Sequence, residues 1–144
     1  MNKQGKVSLD KLFEPFAIKS MKLKNRIVMA PMGTQYCDER GLITQRGLDF
    51  YEERAKGGAG LLIFESTMVD RASRSRHESA TIDRDESIPY FKAVVDVIHK
   101  HDAKVAIQLS HLGSFSAPAG SHMLRCSTTG KAGATLWVSA GCWR

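Results

Sequence analysis

The sequence is short of long apolar stretches. No segment approaches the ~20 consecutive apolar residues of a membrane-spanning helix, and the opening segment MNKQGKVSLDKLFEPF has no apolar run of signal-peptide length. The composition, 42% hydrophobic and 25% charged, is that of an ordinary globular protein. We therefore expect a cytoplasmic protein with one packed core and no membrane partner.

Cysteine is also scarce. Cys37, Cys126 and Cys142 are widely spaced, and they form neither a CxxC pair nor a His-Cys ligand pattern. The spacing therefore favours three reduced thiols over a disulfide framework, and it predicts no metal site.

Acidic residues are missing from one region. Residues 103–144 carry four Lys or Arg and no Asp or Glu, whereas residues 37–102 carry ten basic against thirteen acidic side chains. The net charge of +6 therefore comes from the two ends of the chain. Because no arginine-rich helix and no aromatic-plus-basic pattern accompanies this charge, we expect no nucleic-acid partner; a basic binding module is the weaker alternative.

Strand and helix patterns alternate along the chain. In order, they are a strand from Ile27 to Ala30, a helix after Thr44 ending at Gly57 and Gly58, the strand GLLIFES, a helix opened by Ser87 and Pro89, and the strand KVAIQLSH. The continuous apolar strands are typical of a parallel sheet covered on both faces. Apolar residues at helical spacing, such as Phe91, Val94 and Ile98, predict helices that cover such a sheet.

This order predicts an α/β fold with right-handed βαβ units. A barrel and a doubly wound sheet both satisfy it. No GxGxxG turn follows a strand, which removes the usual support for a dinucleotide-binding doubly wound fold. We therefore predict the N-terminal portion of a (β/α)8 TIM barrel with about three β/α units, incomplete as given, because a whole barrel needs about 250 residues.

The predicted strand ends carry small, apolar or neutral polar residues. Pro31, Met32 and Gly33 follow the first strand, Ser66 ends the second, and Gln108 lies near the end of the third. Strand ends meet at the C-terminal face of a barrel, where ligands bind. A flat heterocycle such as a flavin would fit a wall made of Met32 and Gly33, with the Gln108 amide at its polar edge. Singly, each residue is better explained as turn, core or surface; their convergence favours the cofactor site.

Three segments carry a family resemblance: LFEPFAIKSMKLKNRIVMAPMGT, GGAGLLIFES and KVAIQLSHLG. In order and spacing they resemble the N-terminal third of the old yellow enzyme family of FMN-dependent oxidoreductases, over roughly residues 12–116. The nearest branch is that of the NADH:flavin oxidoreductases and the 2,4-dienoyl-CoA and 2-enoate reductases. The resemblance implies a TIM barrel whose floor is plugged by a hairpin around Phe16 to Lys24.

The resemblance also implies a chemistry and a site. FMN would be reduced by NADH or NADPH and would pass hydride to an activated C=C bond of a small unsaturated substrate. By this likeness Ala30, Pro31 and Met32 line the flavin, Ser66 lies near its pyrimidine end, and Gln108 contacts that end. Gly33 stands where many relatives have a Thr or Cys that tunes the flavin, so that side chain is missing here.

The remainder of the chain leaves alternatives open. The family's substrate-binding pair, proton donor and phosphate site lie on later strands, so we assign no catalytic residue.

We divide the chain into a barrel segment, residues 1–116, and an atypical tail, residues 117–144, in which GSHM is similar to an expression-vector scar. A glycine-rich loop leading to a short strand at Thr135 to Ser139 is the competing interpretation of the tail. An inactive fragment that self-associates as a homo-oligomer, or that pairs with a complementary half, is the alternative to an ene-reductase.

Overall fold

The computed structural model describes residues 8–74 and 79–112, together with the backbone of residues 134–139. The chain begins with a short helix α1 (Asp10–Phe13) and an antiparallel hairpin of β1 (Phe16–Ile18) and β2 (Met21–Leu23). The remaining elements, in chain order, are β3 (Val28–Met29), α2 (Gln45–Lys56), β4 (Leu61–Met68), two 3-10 turns (Arg71–Ser73 and Asp85–Ser87), α3 (Ile88–His99), β5 (Lys104–His111) and β6 (Ala134–Ser139).

A second sheet has the strand order β3-β4-β5-β6, and its first three strands are parallel. The chain passes from β3 through α2 to β4, and from β4 through α3 to β5, so neighbouring strands are also consecutive in sequence. This confirms the predicted alternation of strand and helix.

Both long helices cover the same face of the parallel sheet, which we call the helix face. Tyr51 of α2 and Ile98 of α3 are fully buried in one cluster with Leu62 and Phe64 of β4 and Val105 of β5. A doubly wound sheet places helices on both faces, whereas a barrel places them all outside. The described residues are therefore the N-terminal part of a (β/α) barrel, with no closed barrel, as the sequence predicted.

The opposite face of the sheet, here called the open face, is covered at its floor by the N-terminal hairpin. Leu23 and Met21 of β2 pack against Leu61, Ile63 and Ala106. Because Leu61 and Ala106 lie in the first halves of β4 and β5, the hairpin blocks the amino-terminal end of the sheet and leaves the carboxyl-terminal end accessible. This is the plug that the family resemblance implied.

The helix boundaries follow from local chemistry. The Thr44 hydroxyl donates to the carbonyl of Tyr36 at 2.6 Å just before α2 begins, and α2 is followed by Gly58 with a φ of +101°. That left-handed conformation suits glycine and ends the helix. Pro89 lies in the first turn of α3, where its missing N–H leaves no hydrogen bond unmade. Both helices occupy the predicted segments.

Strand β3 is shorter than the predicted Ile27 to Ala30, since its ladder covers two residues. Its entry is fixed by Asn25, whose side-chain amide donates to the Gly58 carbonyl at 2.7 Å while its Oδ1 accepts from the Ile27 N–H at 3.1 Å. Gly60 is required beside it, because a Cβ there would lie 2.5 Å from the Asn25 Oδ1. The asparagine of the NRIVMAP segment thus holds the first strand against the second.

The outer edge of β5, the third parallel strand, is occupied. β6 pairs antiparallel with β5 along Ala106 to His111 and occupies that edge. The short strand of the competing interpretation is therefore present at Ala134–Ser139, although a barrel would place a parallel strand there. The other features of the predicted tail, including GSHM, Cys126 and Cys142, lie outside the described residues.

Candidate active site

Ser66 and Gln108 are neighbours on adjacent strands. They are partners in the parallel register of β4 and β5, near the carboxyl-terminal ends of both strands. Ala106 belongs to the open-face cluster, and Gln108, two residues further along β5, shares its face because side chains alternate along a strand. Both polar side chains are half-buried. The structure thus brings two of the predicted site residues together above the plugged floor.

A β-bulge sets this register. Phe64 pairs with Ile107, but the next pair is Ser66 with Gln108, so Glu65 is the extra residue. If β4 kept the same sequence but were regularly paired, with no bulge, Ser66 would lie on the same face as Phe64, whose side chain is in the helix-face core. The bulge therefore shifts the alternation by one residue and keeps Ser66 on the side of Ile63, the open face.

The segment Ala30 to Gly33 follows β3 at the same end of the sheet. The Met32 side chain is 55% exposed, and a Cβ placed on Gly33 would meet no atom within 4 Å. Ala30 is also exposed and Pro31 is half-buried. The four predicted residues therefore form an uncrowded stretch beside the strand ends, and they carry no charged group.

Glu65 connects this stretch to β4, and sequence reasoning missed it. The backbone N–H of Thr34 donates to Glu65 Oε2, and the Thr34 hydroxyl donates to Oε1 at 3.1 Å. The Cys37 thiol lies 3.8 Å from the same Oε1. The loop after β3 is thereby attached to the strand that carries Ser66. A carboxylate directly before a predicted site residue, inside an apolar strand, was the available signal.

Three buried groups at this point, the side chains of Glu65, Cys37 and Tyr51, have raised pKa values. Burial raises the pKa of Glu65 above its ordinary value, and hydrogen bonds from Thr34 and Cys37 offset part of that rise. Burial and the nearby Glu65 charge also raise the pKa of the Cys37 thiol and of the Tyr51 hydroxyl. Cys37 is therefore a protonated, unreactive thiol that serves as a donor.

Residues 8–74 and 79–112 contain no group of three His, Cys, Asp or Glu side chains placed to hold a metal ion. None of the helices in the same ranges has the length and apolar character required to cross a membrane.

The fold and the strand-end geometry define the N-terminal part of a (β/α)-barrel protein with a candidate ligand site at its carboxyl-terminal face. The model of the NADH:flavin oxidoreductase / NADH oxidase family matches residues 11–134. The chain belongs to that family of oxidoreductases, as the resemblance predicted.

Individual relatives agree with the family match. The chain is 40% identical over 106 residues to an NADPH dehydrogenase of Listeria welshimeri, covering 73% of this chain and 31% of that protein. It is 34% identical over 108 residues to an NADH oxidase of Thermoanaerobacter brockii, covering 74% and 17%. The chain therefore spans less than a third of the length of these curated relatives.

Solved structures give the same result for the fold. The old yellow enzyme of Trypanosoma cruzi superposes with a TM-score of 0.67 and 32% identity, covering 74% of this chain and 28% of that one. Morphinone reductase in complex with tetrahydroNAD superposes with a TM-score of 0.67 and 30% identity, covering 73% and 28%. The partial barrel described here is thus similar to the corresponding part of old yellow enzymes.

Proposed function

We propose that this chain forms the first part of the FMN site of a cytoplasmic NAD(P)H-dependent ene-reductase. One observation carries the proposal: Ser66 and Gln108 are register partners on the open face, near the carboxyl-terminal end of the sheet. The segment that contains Met32 begins at the same end of the sheet, directly after β3. When bound, FMN would take a hydride from NADH or NADPH and deliver it to the β-carbon of an activated C=C bond, with a proton added at the α-carbon. The substrate would be a small unsaturated molecule.

The residues present fit the ring of such a cofactor. A planar heterocycle needs a wall free of bulky groups, and Ala30, Pro31 and Gly33 leave one. Met32 offers a polarizable thioether, and its exposure leaves it free to lie along a ring edge. The Gln108 amide has both a donor and an acceptor for the alternating groups of a pyrimidine, and the Ser66 hydroxyl beside it adds one of each.

These residues would bind and orient the ring rather than transfer protons. Ser66 and Gln108 do not titrate near neutral pH, and the carboxylate of Glu65 is buried behind the loop. The N–H groups of an uncrowded Gly33 stretch can approach a ligand closely because no side chain intervenes.

A titration of FMN against the protein tests this proposal. We expect the fluorescence of free FMN to be quenched on binding, and Gln108→Ala to weaken that binding about tenfold, since a hydrogen-bonding edge of the ligand loses its partner. Gln45→Ala is the matched control, because Gln45 is an exposed glutamine on α2 that pairs with Asp49. The absence of any FMN binding, or equal affinities for the two variants, would contradict the proposal.

A second candidate function is association with another chain, either a second copy or a complementary barrel half. β3 is at the end of the sheet order, and Val28 within it is 46% exposed. An apolar strand at a sheet edge pairs readily with another strand. Size-exclusion chromatography with light scattering should then show a dimer or larger species that Val28→Lys dissociates. A compact monomer at all concentrations would remove this candidate.

A further inference from the structure

Glu65 is a carboxylate buried within a strand, and glutamate side chains are seldom fully buried in proteins. Only 2% of the residue is exposed, yet its side chain meets two donors of Thr34 and the thiol of Cys37. We propose that Glu65 is a positioning residue, which fixes the Met32–Gly33 segment for contact with the cofactor. This inference rests on the proposed function, since it describes how the same site is shaped.

The contacts restrain the segment at the peptide bond between Gly33 and Thr34. The Thr34 N–H belongs to the peptide plane that also contains the Gly33 carbonyl. In a trans peptide the two groups point in opposite directions, so the bond to Glu65 also fixes the direction of that carbonyl. The Thr34 hydroxyl donates to Glu65 and accepts from the Tyr36 N–H at 3.2 Å, which extends the restraint along the loop. Gly33 has no side chain of its own to hold its conformation.

The bulge allows two consecutive residues of β4, Glu65 and Ser66, to contact different parts of the site. Because Glu65 is the extra residue of β4, its carboxylate reaches the loop while Ser66 stays beside Gln108 on the open face. The Glu65 N–H donates to the Tyr51 hydroxyl at 3.2 Å, so the backbone of the bulge is itself held by α2. Loop, bulge and register pair thus form one connected unit, and a shift in one alters the geometry of the others.

A purely structural role does not require a charge at this position. A buried carboxylate is costly, and an apolar side chain of similar size would fill the same space more favourably. What the carboxylate adds is two oxygens that accept bonds from both donors of Thr34 at once. Such paired acceptance fixes an orientation, which is the property that a ligand-contacting backbone needs.

Glu65→Gln tests this role with little change in volume. The amide retains one acceptor oxygen and replaces the other with a donor group that faces the Thr34 hydroxyl. We expect hydrogen exchange of the Thr34 amide, followed by NMR, to accelerate about tenfold, and the affinity for FMN to fall about tenfold. The visible absorption bands of bound FMN should also shift, because the groups next to the ring have moved.

Ile98→Val is the matched control for a general loss of stability. Ile98 is fully buried in the helix-face core, on α3 and away from the loop. We expect this variant to unfold more easily, yet to keep the exchange rate of Thr34, the FMN affinity and the FMN spectrum of the parent protein. Equal effects of the two variants on FMN would show a structural role for Glu65 and overturn the inference.

The exchange measurement separates this inference from the function on which it rests. It needs no cofactor, so unchanged Thr34 exchange in Glu65→Gln overturns the positioning role whether or not FMN binds. Accelerated exchange in a protein that binds no FMN supports the restraint on the loop and contradicts the proposed cofactor.

Discussion

The two faces of strand β4 differ in what they contact and therefore in what they can do. On the helix face, Leu62 and Phe64 are fully enclosed by side chains of α2 and α3. On the open face, Ile63 and Ser66 are half-buried, and the hairpin covers only the floor below them. One strand therefore supplies stability through one face and keeps the other available for a ligand.

The largest effect is expected on the helix face. The ring centroid of Phe64 lies 4.8 Å from that of Tyr51 and 5.5 Å from that of Phe91, and Phe64 is 1% exposed. Phe64→Ala should lower the free energy of unfolding by about 3–5 kcal/mol, because burial is lost and a cavity remains. Urea denaturation followed by circular dichroism measures this. A loss below about 1 kcal/mol would mean that the helix-face core is not packed as described.

A smaller effect is expected on the open face. Ile63 contacts the hairpin cluster but remains half-buried. Ile63→Ala should therefore cost about 1–2 kcal/mol, roughly half of what a fully buried isoleucine loses. The same denaturation experiment applies. If Ile63→Ala proved as damaging as Phe64→Ala, the two faces would be equally enclosed and the distinction would be wrong.

The smallest effect is a pH dependence at Glu65, which lies between the two faces. Burial raises its pKa in the folded protein above the unfolded value, so the folded state holds the proton more tightly. Stability should therefore fall as the pH rises from the unfolded pKa through the folded pKa, and stay lower above it. The hydrogen bonds that Glu65 accepts from Thr34 stabilise the carboxylate and limit this loss of stability.

Glu65→Gln isolates this contribution. Denaturation midpoints across the acid range should lose that descending step in the variant, whereas the exposed Glu53→Gln should keep it. A variant whose stability follows the same pH curve as the parent protein would assign the step to another group.

Much of the fold could be predicted because the spacing of apolar residues along the chain indicates which side chains are buried. The apolar run of β4 and the helical spacing of Val94 and Ile98 follow directly from contact with a shared core, and both elements appear where the sequence places them. The hairpin plug came from the family resemblance alone. Its short strands have too few residues for a pattern to emerge.

The features that were missed depend on hydrogen bonding between distant segments. The bulge at Glu65 is defined by its register with β5, and the bonds of Glu65 reach a loop about thirty residues earlier in the chain. Alternation within β4 alone cannot reveal either. The antiparallel pairing of β6 is likewise a property of two strands together, so composition pointed to an atypical tail without indicating where it packs.

The bulge has a consequence for anyone who mutates β4 systematically. Up to Ile63 the odd-numbered residues of β4 lie on the open face, and from Ser66 onward the even-numbered residues do. The strand therefore has two frames of alternation, one on each side of the bulge. A deletion at position 65 would restore a single frame and leave Ser66 beside Gln108 on the open face, so it would remove the anchor of the Thr34 loop while preserving every residue that had been assigned to the site.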